Sequence, residues 1–562
     1  MAGLAKPSRR WATAWRMLRT GDLSALTRRT LSFLRRLGDR AERMDYREWR
    51  DQWVEIDDIA RNKIDALVSD LPHRPSFTLL ISVDGANTDL IVATAVSLTA
   101  QRYQDWVLCL ASEHSPDSAL IDAVASIADT RVRFTSPLPT PSGAWVIRLA
   151  PGDLVHEPAL FAVANTITQN PSATVVYTDH DHLEPDGRFV DPHMKPDWNP
   201  DLLSGIDYFS VLVAYRADVW DTHARVGDTD HDLARRATAR LKESEVVHLP
   251  YVLATRSVAG DGTHLIPPTV RVEHPLPDPR PRVSVLIPTR DRGRMLARCL
   301  ASVRERTDYP DVELVIIDHE TTESRARKVI EDVSRDPSNQ VIRFSGPFNF
   351  SAMINRAAKA ATGEVLVLLN NDTEVVTDGW INILVAQVSR PEVAIAGALL
   401  TFADGTIQHG GIHPEIDGVM AHGHKHLPGH HPGYFGRLLV VHGVAAVTGA
   451  CLAIEASTFG LLGGLDEEHL AVAYNDVDLC LRARAAGKRV VLAPHARLIH
   501  HESVSRGVDN DPSRNKRLAK ELKVMQDRWG EFLNADPAYS PNLGGGGFSL
   551  IDPPKTGLPP WR

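Results

Sequence analysis

The sequence predicts two tandem α/β domains, each built on a mostly parallel sheet. Three observations carry that expectation. First, an opening stretch repeats: Arg74-Pro75-Ser-Phe-Thr-Leu-Leu-Ile-Ser82-Val83 is echoed by Arg280-Pro281-Arg-Val-Ser-Val-Leu-Ile-Pro288-Thr289. Second, each copy runs through a helical stretch into another apolar strand, Trp106 to Leu110 and Glu313 to Ile317. Third, each copy later shows a further strand, Trp145 to Leu149 and Val365 to Leu369. Strands alternating with helices imply parallel βαβ units.

At 562 residues the chain exceeds what one core supports. The Pro-rich stretch from Leu265 to Pro281 reads as a semi-rigid linker. The expected organisation is a basic helical segment (1–70), a first α/β domain (71–264), the linker (265–281), a second α/β domain (282–535) and a Gly/Pro-rich tail (536–562). With 43% hydrophobic and 24% charged residues, the composition is that of globular protein. A net charge of −9 argues against nucleic acid as a partner. The four cysteines, Cys109, Cys299, Cys451 and Cys480, lie far apart without a CxxC pair, so a reducing cytoplasm is expected. No run has about 20 uninterrupted apolar residues. The nearest, Leu438 to Ile454, is broken by His442, Gly443, Thr448 and Gly449.

Between Met1 and Arg43 stand eleven Lys/Arg and three Asp/Glu, with Trp11, Trp15, Leu18, Leu26, Phe33, Leu34 and Leu37 among them. This is not a secretory signal. It suits either a basic amphipathic helix on an anionic membrane surface or a solvated helix packed on its own protein.

The most informative stretch is Ala361 to Thr377. Its apolar run ends abruptly in Asn370-Asn371-Asp372. A buried strand that stops on side-chain oxygens places them at the end of a sheet, where open α/β folds bind ligands. Hard oxygen ligands there suit Mg²⁺ or Mn²⁺ held together with a substrate phosphate. A plain polar turn is the alternative.

Further pieces occur in order: Val283-Ser-Val-Leu-Ile-Pro-Thr-Arg-Asp291, Glu313-Leu-Val-Ile-Ile-Asp318, Phe348-Asn-Phe-Ser-Ala-Met-Ile-Asn-Arg356, Gly363 to Glu374, Val447-Thr-Gly-Ala-Cys-Leu452, Asn475-Asp-Val-Asp-Leu-Cys-Leu-Arg482 and His500-His-Glu-Ser503. From about Arg280 to Gly507 the chain resembles a family 2 glycosyltransferase of the GT-A fold, which is Rossmann-like. As a whole it resembles the tandem members found in bacterial O-antigen and capsule synthesis.

The resemblance implies roles. Pro288, Thr289, Arg290 and Asp291 follow the first strand, where the family's nucleotide lies. Asp318 ends the second strand, where an acid holds base or ribose. Asn355 and Arg356 lie on the helix before the metal strand and are expected near the nucleotide. Asn370-Asn371-Asp372 falls on the family's metal motif. Asn370 stands where that motif has its first acid, so metal ligation is expected mainly at Asp372, with Asn370 and Asn371 near ribose or sugar. His500 or His501 matches a histidine that completes the metal or phosphate site. Asp476 is the expected general base, taking the acceptor hydroxyl proton. Asp478 and Arg482, four apart on one helical face, are expected to pair.

His409, His413, His422, His424, His426, His430 and His431 form a tract read as an acceptor-side loop, a plain surface loop or a zinc site. The first domain departs from the family. Ala150-Pro151-Gly152-Asp153 replaces its metal motif, Ala111 lies near the place of the second-strand acid, and Val83-Asp84-Gly85 lacks the usual proline, although Asp230 and Asp232 survive. It is therefore expected not to transfer sugar.

The function implied is a metal-dependent, inverting glycosyltransferase of hexosyl or rhamnosyl type, cytoplasmic or peripheral on the inner membrane face. Its donor would be a UDP-, dTDP- or GDP-sugar and its acceptor a glycan or lipid-linked oligosaccharide. A bifunctional enzyme adding two sugars and a non-catalytic carbohydrate or nucleotide binder are the alternatives.

Overall fold

The computed structural model describes residues 45–112, 114–135, 143–257, 272–414, 420–501, 512–534, 536–543, 548 and 558–562. The basic stretch 1–43 and the first part of the expected linker, 265–271, lie outside them.

The N-terminal half holds β1 (Phe77–Ser82), β2 (Trp106–Ala111), β3 (Val132–Thr135), β4 (Trp145–Arg148), β5 (Asp153–Val155), β6 (Val175–Leu183), β7 (Phe189–His193), β8 (Val213–Arg216) and β9 (Val246–Ser257). The C-terminal half holds β10 (Val283–Thr289), β11 (Val312–His319), β12 (Gln340–Phe344), β13 (Val365–Leu369), β14 (Thr373–Val375), β15 (Val393–Thr401), β16 (Ile407–His409), β17 (Ile412–Pro414), β18 (Met420–His422), β19 (His442–Gly443), β20 (Cys451–Glu455) and β21 (Arg489–His500). The helices that frame the sheet ends and the contacts between the halves include α1 (Tyr46–Trp53), α2 (Asp230–Thr238), α3 (Gly293–Arg306), α4 (Ser324–Ser334), α5 (Phe350–Ala360), α6 (Asn475–Ala485) and α7 (Pro512–Asn534).

The two main sheets have the same strand order. One runs β3-β2-β1-β4-β8-β6-β9-β5, the other β12-β11-β10-β13-β20-β15-β21-β14. The first four strands of each are parallel, and an antiparallel strand, β8 or β20, follows. The architecture is thus two tandem α/β units, each with a mixed, parallel-rich sheet. Leu286, Val315, Leu366 and Leu368 face one core layer, while Val285, Ile316, Val365 and Val367 face the other. Burial on both faces explains why these strands read as continuous apolar runs.

One close approach shapes the nucleotide end. A Cβ on Gly293 would lie 2.5 Å from the Ala326 nitrogen, so only glycine lets the start of α3 meet the start of α4.

The halves are joined by specific contacts. Asn199 and the Gly443 backbone exchange two hydrogen bonds, at 2.9 and 3.0 Å. Buried Asp201 faces both Arg390 and Arg489. The Tyr434 hydroxyl donates to Pro192 O and accepts from Met194 N, Phe435 stacks on His193 at 3.8 Å, and Val440 enters the N-terminal core. The helical segment α1 is tied down by Arg50, 2.9 Å from Asp181, and the tail residue Trp561 is buried in the first core.

Candidate active site

The C-terminal ends of β10, β11 and β13 meet at one edge, as in open α/β folds. Thr289 ends β10, and its hydroxyl accepts from the Asn371 amide at 2.8 Å. The expected nucleotide strand and the expected metal motif are therefore in contact. Asn370 N–H donates to Ala450 O at 3.0 Å, joining the motif to the turn that precedes β20. Pro288 is buried within β10 and Arg290 is exposed just beyond it.

Asp291 adopts a left-handed backbone (φ 54°) and accepts from the backbone N–H groups of Thr322 and Glu323 at 2.6 and 2.8 Å. Those two bonds, from Glu323 first, hold its carboxyl below the usual range. Its visible task is to fasten the β11–α4 loop. Asp318, at the end of β11, accepts from Thr321 N–H through one oxygen at 3.0 Å.

The metal motif gains a defined partner. Asp372, 6% exposed, has Oδ1 3.1 Å from His500 Nε2. The other ring nitrogen, Nδ1, lies 2.7 Å from Gln408 Oε1 and donates to it. A neutral imidazole that donates through Nδ1 presents a lone pair at Nε2. A lone pair facing a carboxylate at this distance needs a proton or a cation between them. Metal-ligating histidines commonly donate their other ring N–H to an oxygen acceptor, as Nδ1 does here to Gln408. The pair therefore fits a divalent cation as a partial protein shell. Among the described residues no cluster of three or more His, Cys, Asp or Glu could hold a metal. Mg²⁺ and Mn²⁺ suit such a site, because they are commonly held by one or two protein groups plus substrate phosphates. Of the two histidines the sequence left open, His500 faces Asp372, while His501 Nε2 lies 2.9 Å from Glu374.

Asp476 sits in the first turn of α6. Its Oδ2 accepts from Gly449 N–H at 2.7 Å and its Oδ1 from Val477 N–H at 2.9 Å. Gly449 belongs to the same turn as Ala450, which receives Asn370 N–H. One turn thus links the candidate base to the metal motif. Asp478 and Arg482 pair at 2.8 Å, as their spacing predicted.

Asn355 departs from expectation. Its amide donates to Leu465 O and Glu467, and its oxygen accepts from Leu465 N–H, all between 2.8 and 3.0 Å. The carboxamide braces the 464–467 loop and is spent there. Arg356, one residue on, is exposed.

The histidine tract is mostly packing. His413 stacks on Tyr539 at 4.5 Å, His424 on Phe548 at 4.3 Å, and His409 Nδ1 lies 2.8 Å from His422 Nδ1. Burial pushes His409 and His424 well below the usual histidine range. Sequence reasoning missed Gln408 and Gly449, whose roles depend on pairings remote in sequence. The one local hint for Gln408 was its place beside His409.

The N-terminal half is built differently at matching positions. The pairing of β5 with β9 sets Asp153 opposite Arg256, as that of β14 with β21 sets Thr373 opposite His500. Gly152 thus occupies the place of Asp372, and Arg256 that of His500. Arg256 is bound to the buried Asp153 by two contacts at 3.0 and 3.1 Å. Asp230, the first residue of α2 as Asp476 is the second of α6, is paired with Arg148. Register also puts Ser112, one residue past Ala111, at the place of Asp318.

Comparisons with known proteins agree with this geometry. Residues 284–439 match the family described as Glycosyl transferase family 2. The chain is 34% identical over 536 residues to a Sinorhizobium fredii protein, "Uncharacterized protein y4gI", covering 86% of this chain and 59% of that one. It is 31% identical over 530 residues to the "O-antigen biosynthesis protein RfbC" of Myxococcus xanthus, covering 85% and 41%. The chain thus spans about half the length of these two relatives. A Mycobacterium tuberculosis "N-acetylglucosaminyl-diphospho-decaprenol L-rhamnosyltransferase" is 26% identical over 40% of this chain and 78% of its own. Among solved structures, GalNAc-T7 with UDP, GalNAc and Mn²⁺ aligns over 45% of this chain and 50% of its own, at 19% identity and a TM-score of 0.37. The match to that family thus spans β10 to Leu439, the part of the chain that holds Asp372.

Proposed function

We propose that residues 282–535 form a metal-dependent, inverting glycosyltransferase. It moves a hexosyl or rhamnosyl group from a UDP-, dTDP- or GDP-sugar to a lipid-linked surface-glycan acceptor, while the N-terminal half transfers nothing. The observation that carries this reading is the Asp372–His500 pair, steered by Gln408 and linked through the Thr448–Ala450 turn to Asp476.

The roles follow from the chemistry. Thr289, Arg290 and Asp318 border the nucleotide, with Pro288 and Asp291 shaping the loops around it. Asn370 and Asn371 lie by the ribose and sugar. A divalent cation at Asp372 and His500 would compensate the negative charge of the departing diphosphate. Asp476 takes the proton of the acceptor hydroxyl as that oxygen attacks the anomeric carbon. Backbone N–H groups on both of its oxygens fix the carboxylate's direction before the acceptor arrives. A single displacement with one such base inverts the anomeric centre. The names of the O-antigen and rhamnosyltransferase relatives support a glycan acceptor on a lipid diphosphate. Among the described residues no helix is long and apolar enough to cross a membrane. Contact with the inner membrane face, through residues 1–43, is part of the proposal.

The test is a donor screen with Mn²⁺ or Mg²⁺, read as thermal stabilisation and nucleotide release. Metal-dependent stabilisation by one nucleotide class, lost in Asp372→Ala, is the expected result. A folded protein that responds to no donor would favour a binding or scaffolding role.

A further inference from the structure

We propose that Glu521, on α7, is a positioning residue for the candidate base; this rests on the assignment of Asp476 as that base. Nothing in the chain's motifs marks Glu521. It lies far beyond the β13 motif, on a helix whose residues 515–520 are all exposed. Yet its own side chain is 2% exposed. Its two oxygens divide their work: Oε1 accepts from Val472 N–H at 3.0 Å and Oε2 from Ala473 N–H at 3.1 Å.

Those two amides belong to the loop that feeds α6. The next residue, Tyr474, is its left-handed N-cap (φ 60°), and Asp476 follows in the first turn. Tyr474 provides no side-chain cap. The entry to the base helix is thus fixed from outside, by a carboxylate on another helix. A non-glycine residue in the left-handed region is strained, so the turn needs such support to hold one geometry.

Two further contacts from α7 brace the same segment. Trp529 Nε1 donates to Asp478 Oδ1 at 3.0 Å, and Arg528 donates to Asp466 at 2.6 Å. These flank Asp476 on its helix and upstream in the loop. Glu521 acts between them, on the two residues that lead into the N-cap of α6. A buried carboxylate is costly to place. An apolar residue there would leave the Val472 and Ala473 N–H groups without this acceptor pair. The carboxylate suits the site because it offers one acceptor to each.

Glu521→Gln separates size from function. The amide keeps the volume but offers only one acceptor, and its NH₂ opposes the other backbone N–H. The full-length protein is assayed with the donor found by the screen, beside Asp476→Asn and the exposed-face control Lys523→Ala. Glu521→Gln is expected to lower kcat about 10- to 100-fold. The KM for donor and the Mn²⁺-dependent thermal stabilisation by nucleotide should stay at wild-type values. Glu521→Asp, which keeps both acceptor oxygens, should recover part of the loss, and Lys523→Ala should match wild type. Hydrogen exchange across 470–478 should quicken about tenfold in Glu521→Gln. Unchanged exchange overturns the proposal whatever the activity. So does a kcat within twofold of wild type while Asp476→Asn is inactive, or a loss of kcat matched by loss of nucleotide stabilisation, which would mark general unfolding. A fully active Asp476→Asn would instead remove the functional reading beneath it.

Discussion

The two halves of this chain share one strand order and differ where chemistry would occur. At the end of β13, Asp372 faces His500 across 3.1 Å. At the end of β4, Gly152 takes the place of the acid, and Arg256 fills the place of the imidazole on Asp153. Asp476 accepts from the backbone N–H groups of Gly449 and Val477, whereas Asp230 is held by Arg148. One half thus keeps a carboxylate that a cation can complete. The other carries its cations covalently, as arginines that no metal can displace. The difference teaches that strand order rests on buried apolar surface, while a site depends on which charged groups stand at a few positions.

The largest effect should separate the two acids. Asp476→Asn should lower transfer about 10³-fold with nucleotide binding intact, because a positioned base contributes on that scale. Asp230→Asn should leave transfer unchanged, and a loss there would break the comparison. Next comes the arginine that stands where the metal would. Arg256→Ala leaves Asp153, 2% exposed, without its cation, and should cost about 3 kcal/mol of stability in denaturant titration. The response to Mn²⁺ and nucleotide should persist. His500→Ala should do the reverse, weakening metal affinity about 10- to 100-fold with a smaller loss of stability.

A smaller effect is expected from trying to restore the lost ligand. Gly152 sits at φ +93°, and a Cβ there would lie 3.2 Å from Leu90 Cδ2. Gly152→Asp should therefore cost about 1–2 kcal/mol in thermal unfolding and create no metal response. The backbone, and not only the side chain, has left the ligand geometry.

The smallest effects are in pH dependence, and they too divide between the halves. Burial lowers His413 and His442 in the C-terminal half to about 4. The unfolded chain takes up their protons near pH 6.5. Their contribution is thus present above pH 6.5 and is lost as pH falls towards 4. In the N-terminal half His248 is raised to about 9: burial opposes its charge, and Asp179 and Asp197 overcome that. Its contribution is full below pH 6.5 and disappears as pH rises through 9. Melting curves of His413→Gln should flatten on the acid side only, and those of His248→Gln on the alkaline side only.

Much of this was legible in the sequence. The β1 and β10 repeats, their partner strands and the abrupt stop at Asn370 were readable because buried parallel strands are continuous apolar runs bounded by polar residues. The 478/482 pair followed from local spacing, whereas the roles expected of Asp372 and Asp476 followed from the family resemblance. The antiparallel β8 and β20 gave no local signal that sets them beside β4 and β13. Gln408, Gly449 and Glu521 could not be read because their partners are 92, 27 and 49 residues away. The arginine replacement at 256 was hidden for the same reason: only the β5–β9 register sets it on Asp153. Asn355 misled because an amide on a helix face looks alike whether it meets a ligand or a loop.

The central claim is that donor and metal are held in one half only. It is tested most directly by thermal unfolding with Mn²⁺ and a panel of nucleotide sugars, on wild type, Asp372→Ala and Arg256→Ala. The account predicts stabilisation by one nucleotide class in wild type and Arg256→Ala, and none in Asp372→Ala. Stabilisation that survives Asp372→Ala but is lost in Arg256→Ala would contradict it and move the donor site to the N-terminal half.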